Sequence, residues 1–169
     1  VLIALNRETV DRHLDEMIDG GAVIFDPEAT TSEGWLPNPR VRPVPVPLAK
    51  FAKEAGGPIM ANTVALGAAL ALVHYPLMFL VDALRAQFAH KAPEIAEQNV
   101  AAATAGYGYV AKLASDFWMA VEPKPGMPKR LLVDGNEAVG LGALAAGIGF
   151  YAAYPMTPAS SILHFMAAH

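Results

Sequence analysis

Apolar residues follow two rhythms along this chain. Short runs closed by turn residues mark buried strands, and stretches with apolar positions three and four apart mark helices. Residues 1–5 (Val-Leu-Ile-Ala-Leu) read as a first strand. They carry no charged leader, which is the pattern of a strand inside a domain whose opening part precedes it. Asn6-Arg7-Glu8-Thr9 then starts a helix to about residue 18, with Val10, Leu14, Met17 and Ile18 on one face. Gly20-Gly21 ends it. Residues 22–25 (Ala-Val-Ile-Phe) form a second strand, closed by Asp26-Pro27. Residues 28–40 are polar and turn-rich, hence a surface loop. Residues 41–47 alternate Val or Arg with Pro. Each proline lacks a ladder donor, so this segment is an edge strand or an extended lead into the helix at 48–55.

No charged residue occurs from 55 to 81, which raises the question of a membrane span. Gly56-Gly57-Pro58, Asn62-Thr63 and His74-Tyr75-Pro76 divide the run, and no Lys/Arg cluster flanks it. The pattern predicts two buried helices, 62–73 and 76–88, with Ala65, Gly67, Ala68 and Ala69 allowing close approach of a neighbour. A long amphipathic helix covers 91–113, keeping Ile95, Asn99, Ala102 and Tyr109 near one face and Glu94, Glu97 and Gln98 in solvent. Residues 121–130 contain Pro123, Pro125, Gly126 and Pro128, a semi-rigid linker composition.

Beyond the linker, residues 131–133 (Leu-Leu-Val) read as a buried strand. Asn136 is placed as a helix N-cap, with Glu137 at the positive end of the helix dipole. The helix runs to Ala146, and Gly147 stops it in the left-handed conformation. Residues 150–153 form another strand. Tyr154-Pro155-Met156-Thr157-Pro158 leaves that strand and enters a last helix. Pro158 suits the first helical position, which makes Thr157 the N-cap. Its hydroxyl and the N–H groups of Ala159, Ser160 and Ser161 would then form an anion pocket at the carboxyl end of a strand. A cap with no ligand is the plainer reading of the same threonine. Strand, helix, strand, helix with short connections implies parallel strands.

Composition narrows the chemistry. The 169 residues are 54% hydrophobic, enough for a substantial core, and the net charge of −4 leaves no basic excess for nucleic acid. There is no cysteine, so no thiolate-held Fe–S cluster, CxxC redox pair or disulfide forms within the chain. The five histidines, His13, His74, His90, His164 and His169, show no metal-ligand spacing. Gly140, Gly142 and Gly147 lie within or after a helix rather than before it, unlike a dinucleotide fingerprint. Asp15-Glu16 and Glu94-Glu97 read as solvated helix faces. No Ser-His-Asp or P-loop pattern is present.

Two signatures at one spacing carry a resemblance: Gly135-Asn136-Glu137-Ala138 and, after a glycine-rich helix, Tyr154-Pro155-Met156-Thr157-Pro158. Together they resemble the start of the pyrimidine-binding domain in the alpha subunit of 2-oxoacid:ferredoxin oxidoreductases. Met156 stands where the family usually has Ile, and Ala159 where it often has Ser. The first two-thirds of the chain is similar, in order and pattern, to the second half of the gamma domain of the same enzymes. The resemblance implies an α/β chain: a partial Rossmann-like gamma domain over 1–120 with a helical C-terminal part, a linker over 121–130, and the first βαβα of a thiamine-pyrimidine-binding domain over 131–169.

It further implies oxidative decarboxylation of a 2-oxoacid, with 2-oxoglutarate favoured by family habit. The acyl group would pass to coenzyme A and electrons would pass through Fe–S clusters to ferredoxin, in the cytoplasm. Thr157 would contact the substrate carboxylate, with Tyr154 and Pro155 close to the cofactor. Thiamine diphosphate and its Mg ion would be shared with a beta subunit, and the diphosphate site and the cluster cysteines would belong to that subunit or to another domain. No catalytic residue, metal site or cluster falls within this stretch, so it is expected to be inactive alone. The competing expectation is a non-catalytic α/β assembly module or one that binds a nucleotide or coenzyme A.

Overall fold

Three parallel strands in the order β1-β2-β3 organise the first part of the chain: β1 Leu2–Ala4, β2 Ala22–Phe25 and β3 Arg42–Pro45. The computed structural model describes residues 1–30, 40–124, 126 and 130–169. They divide into two compact units, Val1–Pro123 and Lys124–His169. Most of the loop expected over 28–40 lies outside the described residues.

All four residues of β2 are buried, as befits a central strand covered on both faces. The two-residue period sends Ala22 and Ile24 into one apolar cluster and Val23 and Phe25 into another. Register matches Val23 with Pro43 and Phe25 with Pro45. The Arg42 N–H donates to the Gly21 carbonyl and the Val46 N–H to the Phe25 carbonyl, each at 2.8 Å. Donors toward β2 therefore come from even-numbered positions, and Pro43 and Pro45 fall on the outer edge, where a missing N–H costs nothing.

Helix α1 (Arg7–His13) is capped by Asn6, whose side chain accepts from the Thr9 N–H at 2.9 Å. It is shorter than its apolar spacing suggests. A 3₁₀ turn at Leu14–Glu16 follows, and the backbone at Met17 becomes extended. This tighter turn brings the chain round to Gly20, held at φ 78°, in time for β2. Ile18 is left exposed rather than on the buried face. Gly20 also meets the tail of the unit: the Trp118 indole N–H donates to its carbonyl at 2.7 Å.

Helix α2 (Leu48–Ala55) follows Pro47, which offers no side-chain cap. Buried Asp26, at the end of β2, supplies the missing acceptor. Its Oδ2 takes the Ala49 N–H at 2.7 Å and its Oδ1 the Glu28 N–H at 3.0 Å. A carboxylate here also faces the positive end of the helix dipole.

The uncharged run becomes α3 (Ala61–Leu72) and α4 (Leu77–Gln87), followed by α5 (Pro93–Leu113). Among the described residues no helix is long and apolar enough to cross a membrane. The break after α3 is a left-handed C-terminal turn. His74 has φ 56°, its N–H reaches the Ala71 carbonyl and the Tyr75 N–H reaches the Leu70 carbonyl. A non-glycine residue pays steric cost in this conformation. His74 gains a compensating tertiary bond, its Nε2 lying 2.9 Å from the Phe117 carbonyl oxygen.

Small residues bring α3 against α5. A Cβ added at Gly67 would lie 2.0 Å from the Ala103 carbonyl oxygen, and one at Gly106 would lie 2.1 Å from that of Val64. Buried Asn99 is satisfied within this seam: its Nδ2 donates to Ile95 O at 2.8 Å and its Oδ1 accepts from the Thr63 hydroxyl at 2.9 Å. Gln98, expected in solvent, is only half-exposed, because the bare backbone of Gly56 gives its amide a place to rest.

The second unit contains α6 (Gly135–Ala145) and α7 (Ser160–Ala168). The strands expected at 131–133 and 150–153 are not formed. Both segments are free of ladder pairing, and Leu132 is 99% exposed. An extended apolar run becomes a strand only when a neighbour takes its N–H and C=O groups, and among the described residues neither run has one.

Candidate functional site

The two signatures meet at the beginnings of α6 and α7. Asp134, not Asn136, is the N-cap of α6. The Asp134 carboxylate accepts the Glu137 N–H at 2.8 Å, and Glu137 Oε2 accepts the Asp134 N–H at 3.0 Å. This reciprocal capping box satisfies two donors at once, which a cap at Asn136 would not. The signal lay in the sequence as an acidic residue three positions before a Glu.

Freed from capping, Asn136 reaches toward α7. Its Nδ2 donates to the Pro158 carbonyl at 3.0 Å and to Ser161 Oγ at 2.5 Å. The Ser161 hydroxyl donates to the same carbonyl at 3.2 Å. One turn further along α6, Gly140 leaves room for the Phe165 ring, which an added Cβ would approach to 2.4 Å. At its other end α6 closes with a paired turn: the Gly147 N–H reaches Leu144 O, the Ile148 N–H reaches Ala143 O, and Gly147 has φ 77°.

Thr157 does not cap α7. The helix begins at Ser160, its N-cap position is Ala159, and no side chain caps it. The Ser160 N–H, one of three donors expected to point outward, is instead taken by the Met156 carbonyl at 3.0 Å. That local bond forms a turn over 156–160 and delays the helix by two residues. The peptide between Thr157 and Pro158 is cis. What remains is an exposed loop: Tyr154 is 81% exposed, and Pro155, Met156 and Thr157 are also exposed.

A cavity of about 300 Å³ lies in the same unit, lined by Leu144, Ile148, Phe150, Leu163 and Met166 among others. It is walled mainly by apolar side chains, and Thr157 is not part of it. Among the described residues no group of three His, Cys, Asp or Glu side chains is gathered as a metal centre. The site therefore offers a hydroxyl on an accessible loop, anchored from behind by an amide. It can hold a polar ligand group, but among the described residues no acid–base pair is gathered there.

Known proteins extend this picture. The 2-oxoacid:ferredoxin oxidoreductase 2 alpha subunit of Aeropyrum pernix is 23% identical over 99% of this chain and 33% of its own length. Among solved structures, 2-oxoglutarate:ferredoxin oxidoreductase from Magnetococcus marinus, with 2-oxoglutarate, coenzyme A and succinyl-CoA bound, superposes with a TM-score of 0.81. It is 31% identical, and the match covers 99% of this chain and 29% of that one. The gamma subunit of a keto/oxoacid ferredoxin oxidoreductase from Geobacter sulfurreducens matches with a TM-score of 0.54 and 26% identity, over 66% of this chain and 63% of its own. The chain thus spans about a third of the length of the first of these relatives. The model of the pyruvate ferredoxin/flavodoxin oxidoreductase family matches residues 1–109, well over half of the sequence, and the chain belongs to that family.

Proposed function

We propose that this chain is the part of a 2-oxoacid:ferredoxin oxidoreductase alpha subunit that joins the gamma domain to the pyrimidine-binding domain. The gamma portion is assigned to 1–120, the connection to 121–130 and the pyrimidine-binding portion to 131–169. The observation that carries the reading is the likeness to the 2-oxoglutarate enzyme across 99% of the chain. The gamma-subunit likeness over 66% supports the first assignment.

In this reading the reaction is oxidative decarboxylation of a 2-oxoacid, with 2-oxoglutarate the favoured substrate. Coenzyme A accepts the acyl group and ferredoxin accepts electrons, in the cytoplasm. Thiamine diphosphate supplies the carbon–carbon cleavage when bound. The described residues here do not fit a magnesium–diphosphate centre, since they bring no donor set together. That centre and the Fe–S clusters are assigned to a beta subunit or another domain. This chain's own contribution is to bind and orient. Thr157, exposed on its loop, donates its hydroxyl to the substrate carboxylate, and Tyr154 and Pro155 flank the cofactor.

Thr157→Val keeps the shape and removes the hydroxyl. In the assembled oxidoreductase it should raise KM for 2-oxoglutarate about tenfold, the worth of one hydrogen bond to a charged group, with thiamine affinity unchanged. An unchanged KM would rule the carboxylate role out.

A further inference from the structure

We infer that Asn136 is a positioning residue for Thr157: its side-chain amide ties the peptide that follows the threonine to the first turn of α6. This rests on the proposal that Thr157 holds the substrate carboxylate. A carbonyl oxygen can only accept, so the amide turns its NH₂ toward Pro158 O, 3.0 Å away. The same NH₂ reaches Ser161 Oγ at 2.5 Å, and that hydroxyl lies 3.2 Å from the same carbonyl. Three groups thus close a triangle on the residue next to Thr157.

The rest of the loop is held locally, by the Ser160 N–H on Met156 O, which fixes its curvature but not its place against α6. Asn136 is itself fixed on both sides in sequence. Asp134 and Glu137 lock the first helical turn into the capping box, so Asn136, held between them, projects in one direction. The two signatures, 22 positions apart from Asn136 to Pro158, act as one device in which the first sets the second.

Asn136→Asp preserves the outline of the side chain but replaces the donor with an oxygen facing an oxygen. In the assembled oxidoreductase it should raise KM for 2-oxoglutarate about tenfold, the cost of one lost hydrogen bond with a repulsive contact left in its place. The kcat and the thermal midpoint should change little. Ser161→Ala, which leaves the amide in place, should raise KM by only about two- to threefold, and it serves as the second variant should the aspartate form not fold. In a Thr157→Val background, Asn136→Asp should add nothing to KM, because no hydroxyl is left to place.

A full additional KM increase in that background would overturn the inference. So would a lowered thermal midpoint with KM unchanged in Asn136→Asp while Thr157→Val raises it, an outcome that leaves the carboxylate reading standing. An unchanged KM in Thr157→Val itself removes both.

Discussion

Gly67 and Ala103 face each other across α3 and α5 so closely that a single methyl group on the glycine would sit 2.0 Å from the alanine carbonyl oxygen. That oxygen belongs to a helix backbone and cannot rotate aside. Gly67→Ala must therefore push the helices apart, at a cost of about 3 kcal/mol or more for overpacking. The offsetting gain in helix propensity is only about 1 kcal/mol. Denaturant unfolding should show net loss of stability. Gly142→Ala is the control, since nothing lies within 4 Å of its added Cβ; it should stabilise by roughly 0.5–1 kcal/mol. Equal effects at the two glycines would contradict the packing argument.

Asp26 reaches from β2 to the start of α2, and its removal should cost more than an ordinary surface change. Asp26→Ala strips the acceptor from the Ala49 and Glu28 N–H groups and should destabilise by about 1–3 kcal/mol. Asp26→Asn keeps one acceptor oxygen and should lose less. The expected order of unfolding midpoints is parent, Asn, Ala, and Asn falling below Ala would refute the capping role.

Two exposed ion pairs set an acid sensitivity. A hydrogen bond from Arg42, with its charge nearby, holds the Asp116 carboxyl below the ordinary carboxylate range, and Arg85 does the same to Glu97. A depressed folded-state pKa means the stabilisation is complete above the unfolded value, about pH 4, and is lost as pH falls through the lower folded value. The effect is small, because both pairs face solvent. Urea midpoints measured from about pH 5 down to about pH 2 should fall more for the parent than for Asp116→Asn/Glu97→Gln, where both titrations are gone. The excess fall should shrink in high salt. Parallel curves would show that the pairs contribute nothing.

Local chemistry made much of the first unit legible. The boundaries of α2 follow from Pro47 before it and Gly56 after it, and the division of the uncharged run into two helices follows from His74-Tyr75-Pro76. Alternating prolines left residues 41–47 only an edge position or an extended lead into α2, and β3 takes the edge. The failures occurred where two local options competed. Asp134 and Asn136 are both good caps, and only the partner Glu137 decides between them. Pro158 can open a helix, but a turn closed by Met156 and Ser160 forms first. The Asn136–Pro158 bond joins residues far apart in sequence, so no local rule points to it.

The prolines of β3 have a consequence beyond their own strand. Every second residue of β3 is a proline and these are the ones that face outward, so an incoming chain laid there would find its carbonyl groups unanswered at Pro43 and Pro45. The sheet is thus sealed against lateral recruitment on that flank, by covalent structure rather than by a covering layer. Among the described strands, only β1 (Leu2–Ala4) offers a flank where a further strand would meet both donors and acceptors.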